Sequence, residues 1–266
     1  MSRISRAFAQ AKGEGRAAFI PYLTAGFPDK VGFFECARAL LESADILEVG
    51  LPYSDPLGDG PTIQRASERA LAQGTTTKDV LEAVRALRRD SDKALVVMSY
   101  YNPIYCYAGG GETGFVRDLK AAGADGVILP DLPPDEGEAL TQAAREHDLD
   151  TVFLVAPTST RARLELVTRA CRGFVYAVSV TGVTGARGGA SEGVPDLVRR
   201  VREVSDLPVA VGFGVSSAAT ARPVAEVADG VVVGSALIAA IDGGEDVAAL
   251  AGEIALACRR GVPSDV

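Results

Sequence analysis

Eight short apolar runs, separated by segments with helical periodicity, limit the possible folds of this 266-residue chain more than any other feature. The runs are rich in β-branched residues and almost continuously hydrophobic, which is typical of parallel strands buried on both faces. We predict strands at 18–23, 44–50, 95–100, 126–130, 151–156, 174–179, 208–212 and 230–233. Alternation of strands with helices predicts a parallel sheet covered by its crossover helices.

The number of repeats favours closure of this sheet into a barrel. Eight strand–helix units and a length near 250 residues fit a single (β/α)8 TIM barrel, with an open doubly wound sheet as the alternative. No linker or low-complexity block divides the chain, so we expect one domain over 1–266. The Arg/Ser-rich start, MSRISRAFAQAKGEG, predicts an extra covering helix rather than a transit peptide. Further short helices are expected after strands, at 61–73 and 236–240.

Composition excludes several classes of partner and site. A net charge of −8 argues against nucleic acid and anionic membranes as partners. No apolar run reaches the roughly 20 residues that a membrane span needs. Four scattered cysteines without CxxC spacing predict reduced thiols in a cytoplasmic protein, not a disulfide framework or a zinc site.

Two long interruptions of the repeat indicate where the functional site lies. About forty residues separate the second and third strands, and the glycine-rich segment 181–194 follows the sixth strand. In α/β barrels, the loops at the carboxyl ends of the strands form the active site. Both interruptions occur at that end.

Several catalytic chemistries are excluded by which residues are missing from these loops. The only histidine, His147, precedes the fifth strand and so belongs to the opposite end of the barrel. This argues against a Ser-His-Asp or Cys-His mechanism and against a histidine metal site. None of the lysines is in a strand or at a strand's carboxyl end, which disfavours Schiff-base catalysis. The lysines are Lys12, Lys30, Lys78, Lys93 and Lys120.

Carboxylates remain, and three of them follow the second strand. Glu48 lies inside the apolar run ADILEVG, where burial would raise its pKa into the range useful for proton transfer; a buried ion pair is the alternative. Asp59 is either functional or the cap of a helix that begins at Pro61. Asp55, in SDP, is either functional or a turn residue.

Glycines after the last two strands suggest an anion site. GFG (212–214) ends the seventh strand, and GS (234–235) ends the eighth and precedes a short helix. Loops after strands seven and eight often bind phosphate at a helix N-terminus.

The segment 47–64, LEVGLPYSDPLGDGPTIQ, resembles the signature of the tryptophan synthase alpha subunit family. The segments FIPYLTAGFP, MSYYNPIY, DGVILPDLPP, VYAVSVTGVTGAR, VGFGV and VVVGSALI resemble other parts of that family, in its order. The resemblance implies a (β/α)8 barrel lyase that cleaves indole-3-glycerol phosphate to indole and glyceraldehyde 3-phosphate, a step of tryptophan biosynthesis.

The resemblance also implies roles for particular residues. Glu48 matches the proton-transfer residue, and Asp59 the carboxylate that binds the indole N–H and stabilises positive charge on the ring. The matched substrate positions are Tyr22, Tyr100 and Ile128 in the indole pocket, Tyr176 at the substrate, and Gly185, Gly214, Gly234 and Ser235 at the phosphate. Segment 181–193 is a candidate lid in which Thr184 reaches toward Asp59.

A partner is implied as well. Family members bind a β subunit that carries pyridoxal phosphate, in an α2β2 assembly in which indole passes through a tunnel. This chain is expected to hold no cofactor of its own. Pro52, Asp55, Asn102 and Pro133 match positions at the contact with the β subunit.

Two departures from the family's common pattern bear on the site. Tyr22 stands where phenylalanine is usual, so its hydroxyl needs a partner, and Gly58 replaces a frequent alanine, which would loosen the loop that holds Asp59. Three other functions are open alternatives: a stand-alone lyase that releases free indole, a sugar-phosphate isomerase or epimerase, and a silent subunit that only activates its partner. The presence of both Glu48 and Asp59 counts against the silent subunit.

Overall fold

Eight parallel strands close into a barrel in the order of the chain, and the last strand pairs with the first. This computed structural model describes residues 1–178, 193–212 and 214–261. The strands are β1 (Ala18–Thr24), β2 (Ile46–Gly50), β3 (Ala94–Met98), β4 (Gly126–Leu129), β5 (Asp150–Val155), β6 (Val175–Val178), β7 (Val209–Gly212) and β8 (Gly230–Val233). All eight predicted strands are confirmed, and closure excludes the doubly wound alternative.

Helices cover the barrel between its strands. Within the described residues they are α1 (Arg3–Gly13), α2 (Lys30–Ser43), α3 (Pro61–Ala72), α4 (Thr77–Asp90), α5 (Tyr101–Tyr105), α6 (Gly111–Ala122), α7 (Glu138–Glu146), α8 (Arg161–Ala170), α9 (Val194–Arg202), α10 (Ala218–Val227), α11 (Ser235–Asp242) and α12 (Val247–Ala257). The N-terminal helix and the two short loop helices are therefore confirmed, as α1, α3 and α11. The sequence did not single out α5, α8 or α10.

Side-chain caps fix where several helices begin. Asp29 accepts hydrogen bonds from the N–H groups of Val31 and Gly32 at the start of α2. Thr76 and Asp79 form a reciprocal capping box at the start of α4. At the other end of α6, Gly123 adopts φ +102°, a conformation that glycine tolerates and most residues do not.

Alternation along each strand divides the apolar side chains between two cores. One core lies between the sheet and the helices, and the other fills the barrel. Helix α1 adds Ile4 and Phe8 to the inner core, and the Phe8 ring lies 5.5 Å from the ring of Phe174. The amino-terminal end of the barrel is thus closed by a helix whose apolar face continues the interior packing.

Buried carboxylates fasten α1 to the barrel. Asp125 accepts hydrogen bonds from Arg88 at 2.7 Å, from Arg3 of α1 at 3.2 Å, and from the backbone N–H of Leu95 at 2.9 Å. Ser2, the cap of α1, donates to Asp150 at 2.7 Å. These bonds pair the buried carboxylates of Asp125 and Asp150 at this end of the barrel.

The positions predicted for His147 and for the lysines are also confirmed. His147 caps the carboxyl end of α7 and lies at the closed end of the barrel, before β5. Each lysine lies in a helix or ahead of a strand, and none is at the carboxyl end of a strand. Among the described residues, no helix is both long and apolar enough to cross a membrane.

Candidate active site

Glu48 is a carboxyl buried inside the barrel near its open mouth. It lies on the same face of β2 as Ile46, whose side chain belongs to the inner core, and it is 1% exposed. In the described part of the chain it forms no ion pair, and its Oε2 has no hydrogen-bond partner. Burial, and then the negative charge of Asp59, raise the pKa of Glu48 to about 8. The carboxyl is therefore mostly protonated at neutral pH and free to act as an acid.

Asp59 is held at the same mouth by the loop 51–60. It is 7% exposed, and its side chain does not cap α3, because the cap of that helix is Gly60 and makes no side-chain bond. Burial raises the pKa of Asp59 to about 6, while a hydrogen bond from Tyr100 opposes the rise. At neutral pH this carboxyl is mostly ionised, in contrast to Glu48.

Tyr22 forms one wall of the site. It lies opposite Glu48 in the register of β1 and β2, and its hydroxyl is 3.1 Å from the hydroxyl of Thr24, which supplies the partner that the extra oxygen needs. The Tyr22 ring covers the backbone of Gly50, where a Cβ atom would overlap the hydroxyl. Only glycine at position 50 leaves room for this ring.

Tyr176 forms a second wall, and it too covers a glycine of the neighbouring strand. It lies on β6 with its side chain in the inner core, together with Ile128 of β4. Its hydroxyl covers the backbone of Gly212, at the end of the neighbouring strand β7. Burial, then the charges of Glu48 and Asp59, raise the pKa of Tyr176 well above its usual value, so the hydroxyl stays protonated.

The anion end of the predicted site is partly described. Gly214 has φ +80°, a left-handed conformation suited to glycine, and it follows β7. Gly234 is the N-cap of α11 and provides no side-chain cap, and Ser235 is the exposed first residue of that helix. The first N–H groups of α11 are therefore open to an anion. Thr184, Gly185 and the rest of the candidate lid to residue 192 lie outside the described residues.

The predicted partner residues surround the same mouth. Asp55 and Asn102 are exposed, Pro133 is half-buried, and Pro52 is buried beneath its loop. A cleft of about 330 Å³ contains Asn102 and Pro133 and is also lined by Tyr101, Tyr105, Asp131, Leu132 and Glu136. Two large apolar side chains are well exposed near these residues, Leu57 at 86% and Tyr105 at 63%.

Sequence reasoning missed two contacts in this site. Thr24 lies two residues after Tyr22 on the same face of β1, so strand periodicity contained the signal for that pair. The bond from the backbone of Gly58 to Tyr100 joins residues 42 apart, and nothing local in the sequence indicates it. This bond also shows that Gly58, which the sequence predicted to loosen the loop, is itself tied to the barrel.

Comparison with known proteins identifies what this geometry resembles. The family model described as tryptophan synthase alpha chain matches residues 8–259. The tryptophan synthase alpha chain of Deinococcus radiodurans is 58% identical over 98% of this chain and 96% of its own length. That of Mycobacterium tuberculosis is 50% identical, with the same coverage.

Solved structures agree with the sequence relatives. A structure of Mycobacterium tuberculosis tryptophan synthase in space group F222 superposes with a TM-score of 0.91 at 49% identity. It covers 98% of this chain and 99% of the matched chain. A structure from Aquifex aeolicus VF5 gives a TM-score of 0.90 at 41% identity, covering 98% of this chain and all of that one.

Proposed function

The chain belongs to the tryptophan synthase alpha chain family, and from this membership we propose that Glu48 and Asp59 are the residues that catalyse the family's reaction here. The chain is a carbon–carbon lyase of tryptophan biosynthesis that cleaves indole-3-glycerol phosphate to indole and glyceraldehyde 3-phosphate. The site residues and their roles are the proposal.

One observation carries it: two carboxyls at one mouth whose pKa values differ. The pKa of Glu48 is raised to about 8 and that of Asp59 to about 6. Near neutral pH the first is therefore mostly an acid and the second mostly an anion. Two titratable groups whose environments separate their pKa values are the usual arrangement for divided acid–base roles.

Glu48 supplies the proton and recovers one. Its carboxylic acid protonates C3 of the indole ring, which turns the ring into an electron sink. The resulting carboxylate then takes the proton of the glycerol hydroxyl adjacent to the ring as the carbon–carbon bond breaks and the aldehyde forms. Glu48 thus gives one proton to C3 and takes one from the hydroxyl, so the step balances without a proton from water and without a metal.

Asp59 stabilises the charge that this protonation creates. Positive charge develops on the ring nitrogen when C3 is protonated, and an ionised carboxylate that accepts the N–H hydrogen bond lowers its energy. Burial strengthens this attraction because the site has a lower effective dielectric than water. Tyr22, Tyr176 and Ile128 enclose the ring, and their burial supports the assignment to an apolar pocket.

The phosphate is proposed to lie at the start of α11. Gly234 and Ser235 offer uncapped N–H groups there, and Gly214 lets its backbone approach the ligand closely. This suits a chain with net charge −8, because the anion is bound by backbone dipoles and not by a basic patch.

Direct assay tests the catalytic proposal. The purified chain is incubated with indole-3-glycerol phosphate, and indole and glyceraldehyde 3-phosphate are measured in equal amounts. Glu48→Gln is expected to lower the rate by about 100-fold or more, the range for loss of a general acid. The exposed Glu35→Gln on α2 is the matched control and should keep the wild-type rate. Retention of activity in Glu48→Gln would remove Glu48 from this role.

The partner is proposed to be a tryptophan synthase β subunit, joined in an α2β2 heterotetramer. Support comes from the surface at the mouth, where Leu57 and Tyr105 expose apolar side chains beside the cleft that contains Asn102 and Pro133. Exposed apolar groups next to polar ones are typical of interaction surfaces. Asp55 lies in the same loop as Leu57 and is proposed to contact the partner rather than substrate.

Titration with a β subunit tests the partner proposal. Leu57→Asp should weaken association at least tenfold, because it places a charge in the buried part of the contact. Val31→Asp, at a site on α2 that is 70% exposed, is the matched control and should bind as wild type. Association that is insensitive to Leu57→Asp would place the contact elsewhere. Full activity without any β subunit would favour the stand-alone lyase.

We also propose that the chain needs no cofactor of its own, with pyridoxal phosphate carried by the β subunit, and that it is cytoplasmic. The acid–base roles of Glu48 and Asp59 support the first point. The free cysteines Cys36, Cys106, Cys171 and Cys258 support the second.

A further inference from the structure

We propose that Tyr100 is the positioning residue for Asp59: its single hydroxyl holds both the backbone of the loop and the carboxylate that the loop carries. The proposal rests on the function proposed above, in which Asp59 binds the indole N–H. It gives Tyr100 a role that differs from lining the indole pocket.

The hydrogen bonds around the Tyr100 hydroxyl have only one consistent orientation. The backbone N–H of Gly58 lies 2.9 Å from the phenolic oxygen, and an N–H can only donate, so that oxygen accepts. A neutral phenol has one proton, which remains free for the carboxylate of Asp59. The hydrogen bond from Tyr100 to Asp59 is accordingly directed toward the ionised carboxylate.

The hydroxyl is held in a fixed place by the residues around it. The carbonyl of Tyr100 accepts a bond of 2.8 Å from the Ser99 hydroxyl, and the next backbone N–H, of Tyr101, donates to Asp131 at 2.9 Å. The Tyr100 ring lies 5.4 Å from the ring of Tyr53, at an angle of 31°. Tyr100 is also buried, so few alternative rotamers are open to it.

The backbone of Asp59 is held by bonds that do not involve its side chain. The Asp59 N–H donates to the carbonyl of Pro56 at 3.0 Å, and its carbonyl accepts from Gln64 at 2.9 Å. The Tyr100 phenol is placed beside this side chain, because its oxygen accepts from the N–H of Gly58, the residue before Asp59, and its proton is donated to the Asp59 carboxylate. Within the described residues, Tyr100 is therefore the group placed to orient that carboxylate.

This bond matters for charge as well as for geometry. Among the described residues, the other titratable groups that face Asp59 are Glu48, Tyr22 and Tyr176, and none of these three is a cation. Burial in such surroundings favours the protonated form of Asp59, and the donated hydrogen bond favours the ionised form. A carboxylate has room for several donors, so the bond from Tyr100 still leaves sites for the indole N–H.

The test is the pH dependence of kcat/KM for indole formation in Tyr100→Phe. Loss of the donor should raise the pKa of Asp59 and move the acidic limb of the profile upward by about one pH unit. Tyr107→Phe is the matched control, because it removes a tyrosine–aspartate bond of 2.8 Å, to Asp118, away from the site. It should leave the limb where it is in the wild type. An unmoved limb in Tyr100→Phe, or a loss that is equal at every pH, overturns the proposal.

Two further variants separate this inference from its premise. In an Asp59→Asn background the Tyr100→Phe change should alter kcat/KM less than twofold, since the group it acts through is gone. Gly58→Ala keeps the phenol but places a Cβ 3.1 Å from its oxygen, and should move the acidic limb in the same direction by a smaller amount. If the wild-type chain forms no indole, the proposed function fails. If the wild-type chain is active and the acidic limb does not move in Tyr100→Phe, only the role of Tyr100 fails.

Discussion

Asp59 acts on Glu48 through its charge: after burial, the negative charge of Asp59 is the second cause that raises the pKa of the Glu48 carboxyl to about 8. Burial raises the pKa of Asp59 itself to only about 6, and a hydrogen bond from Tyr100 opposes the rise. The two carboxyls therefore share one proton between about pH 6 and pH 8, with Glu48 as its usual holder. This is the protonation state that the roles proposed for Glu48 and Asp59 require.

The first prediction is a bell-shaped pH profile of kcat/KM. Activity should fall on the acidic side as Asp59 is protonated, with an apparent pKa near 6, and on the alkaline side as Glu48 ionises, near 8. Steady-state rates of indole formation from pH 5 to pH 9.5 measure both limbs. A rate that keeps rising above pH 9 would contradict the assignment of Glu48 as the acid.

The second prediction concerns Asp59→Asn. Removal of the carboxylate should lower kcat/KM by about 100-fold or more, because the charge opposite the ring nitrogen is lost. The acidic limb should disappear. The alkaline limb should move to lower pH, since the neighbouring negative charge no longer raises the pKa of Glu48. Measurement of the residual kcat/KM of Asp59→Asn as a function of pH checks this prediction. An alkaline limb unchanged from wild type would show that Asp59 and Glu48 do not interact.

A third prediction is that Glu48→Gln stabilises the fold while it abolishes cleavage. An exposed glutamate has a pKa near 4.5, and burial raises that of Glu48 to about 8, so the unfolded chain binds fewer protons between these values. The contribution of Glu48 to stability is thus present below pH 4.5 and is lost as the pH rises toward 8. The gain in Tm from Glu48→Gln should be larger at pH 8.5 than at pH 5. Exposed Glu35→Gln should show no such trend, and a variant equally stable with wild type at both pH values would contradict the argument.

A fourth prediction follows from the contact between Tyr22 and Gly50. A methyl at position 50 would overlap the Tyr22 hydroxyl and ring, so Gly50→Ala should displace the ring and weaken substrate binding about tenfold. Tyr22→Leu should bind weakly as well, because it shortens the wall. Gly50→Ala in the Tyr22→Leu background should then cost little more. KM values for the wild type, the two single variants and the double variant measure the coupling between positions 22 and 50. Additive effects would mean that the two residues do not compete for space.

The fifth prediction tests the closed end of the barrel. Phe8 is buried in the inner core against Phe174, and Phe8→Ala should lower the free energy of unfolding by about 3 kcal/mol through lost burial and the cavity left behind. Exposed Gln10→Ala on the same helix should change it by less than about 0.5 kcal/mol. Urea denaturation of both variants gives the values. Equal stability of Phe8→Ala and wild type would mean that α1 does not contribute to the core.

The fold could be predicted from the sequence because its signals are local. Each strand is an apolar run with its own boundaries, and the capping box of Thr76 and Asp79 lies within four residues of chain. Glu48 could be singled out because a carboxylate within an apolar run is costly to bury unless it has a function. In these cases the physical reason for a structure and its sequence pattern coincide.

The finer structure of the site could not be predicted in this way. Asp59 does not cap α3, and its carboxylate is instead hydrogen-bonded to Tyr100, which comes 41 residues later in the chain. The need for glycine at position 50 likewise comes from a ring on the adjacent strand. Such contacts depend on strand register and side-chain direction, which a single sequence does not specify.

Helix α1 closes the barrel interior at its amino-terminal end, opposite the mouth. With Ile4 and Phe8 packed into the barrel from below, the route by which a substrate enters from the mouth is also the route by which a product leaves. Indole is small and apolar and would cross a free opening readily. If the proposed β subunit covers that opening, it would decide whether indole escapes into the surrounding water or is handed directly to the next catalyst.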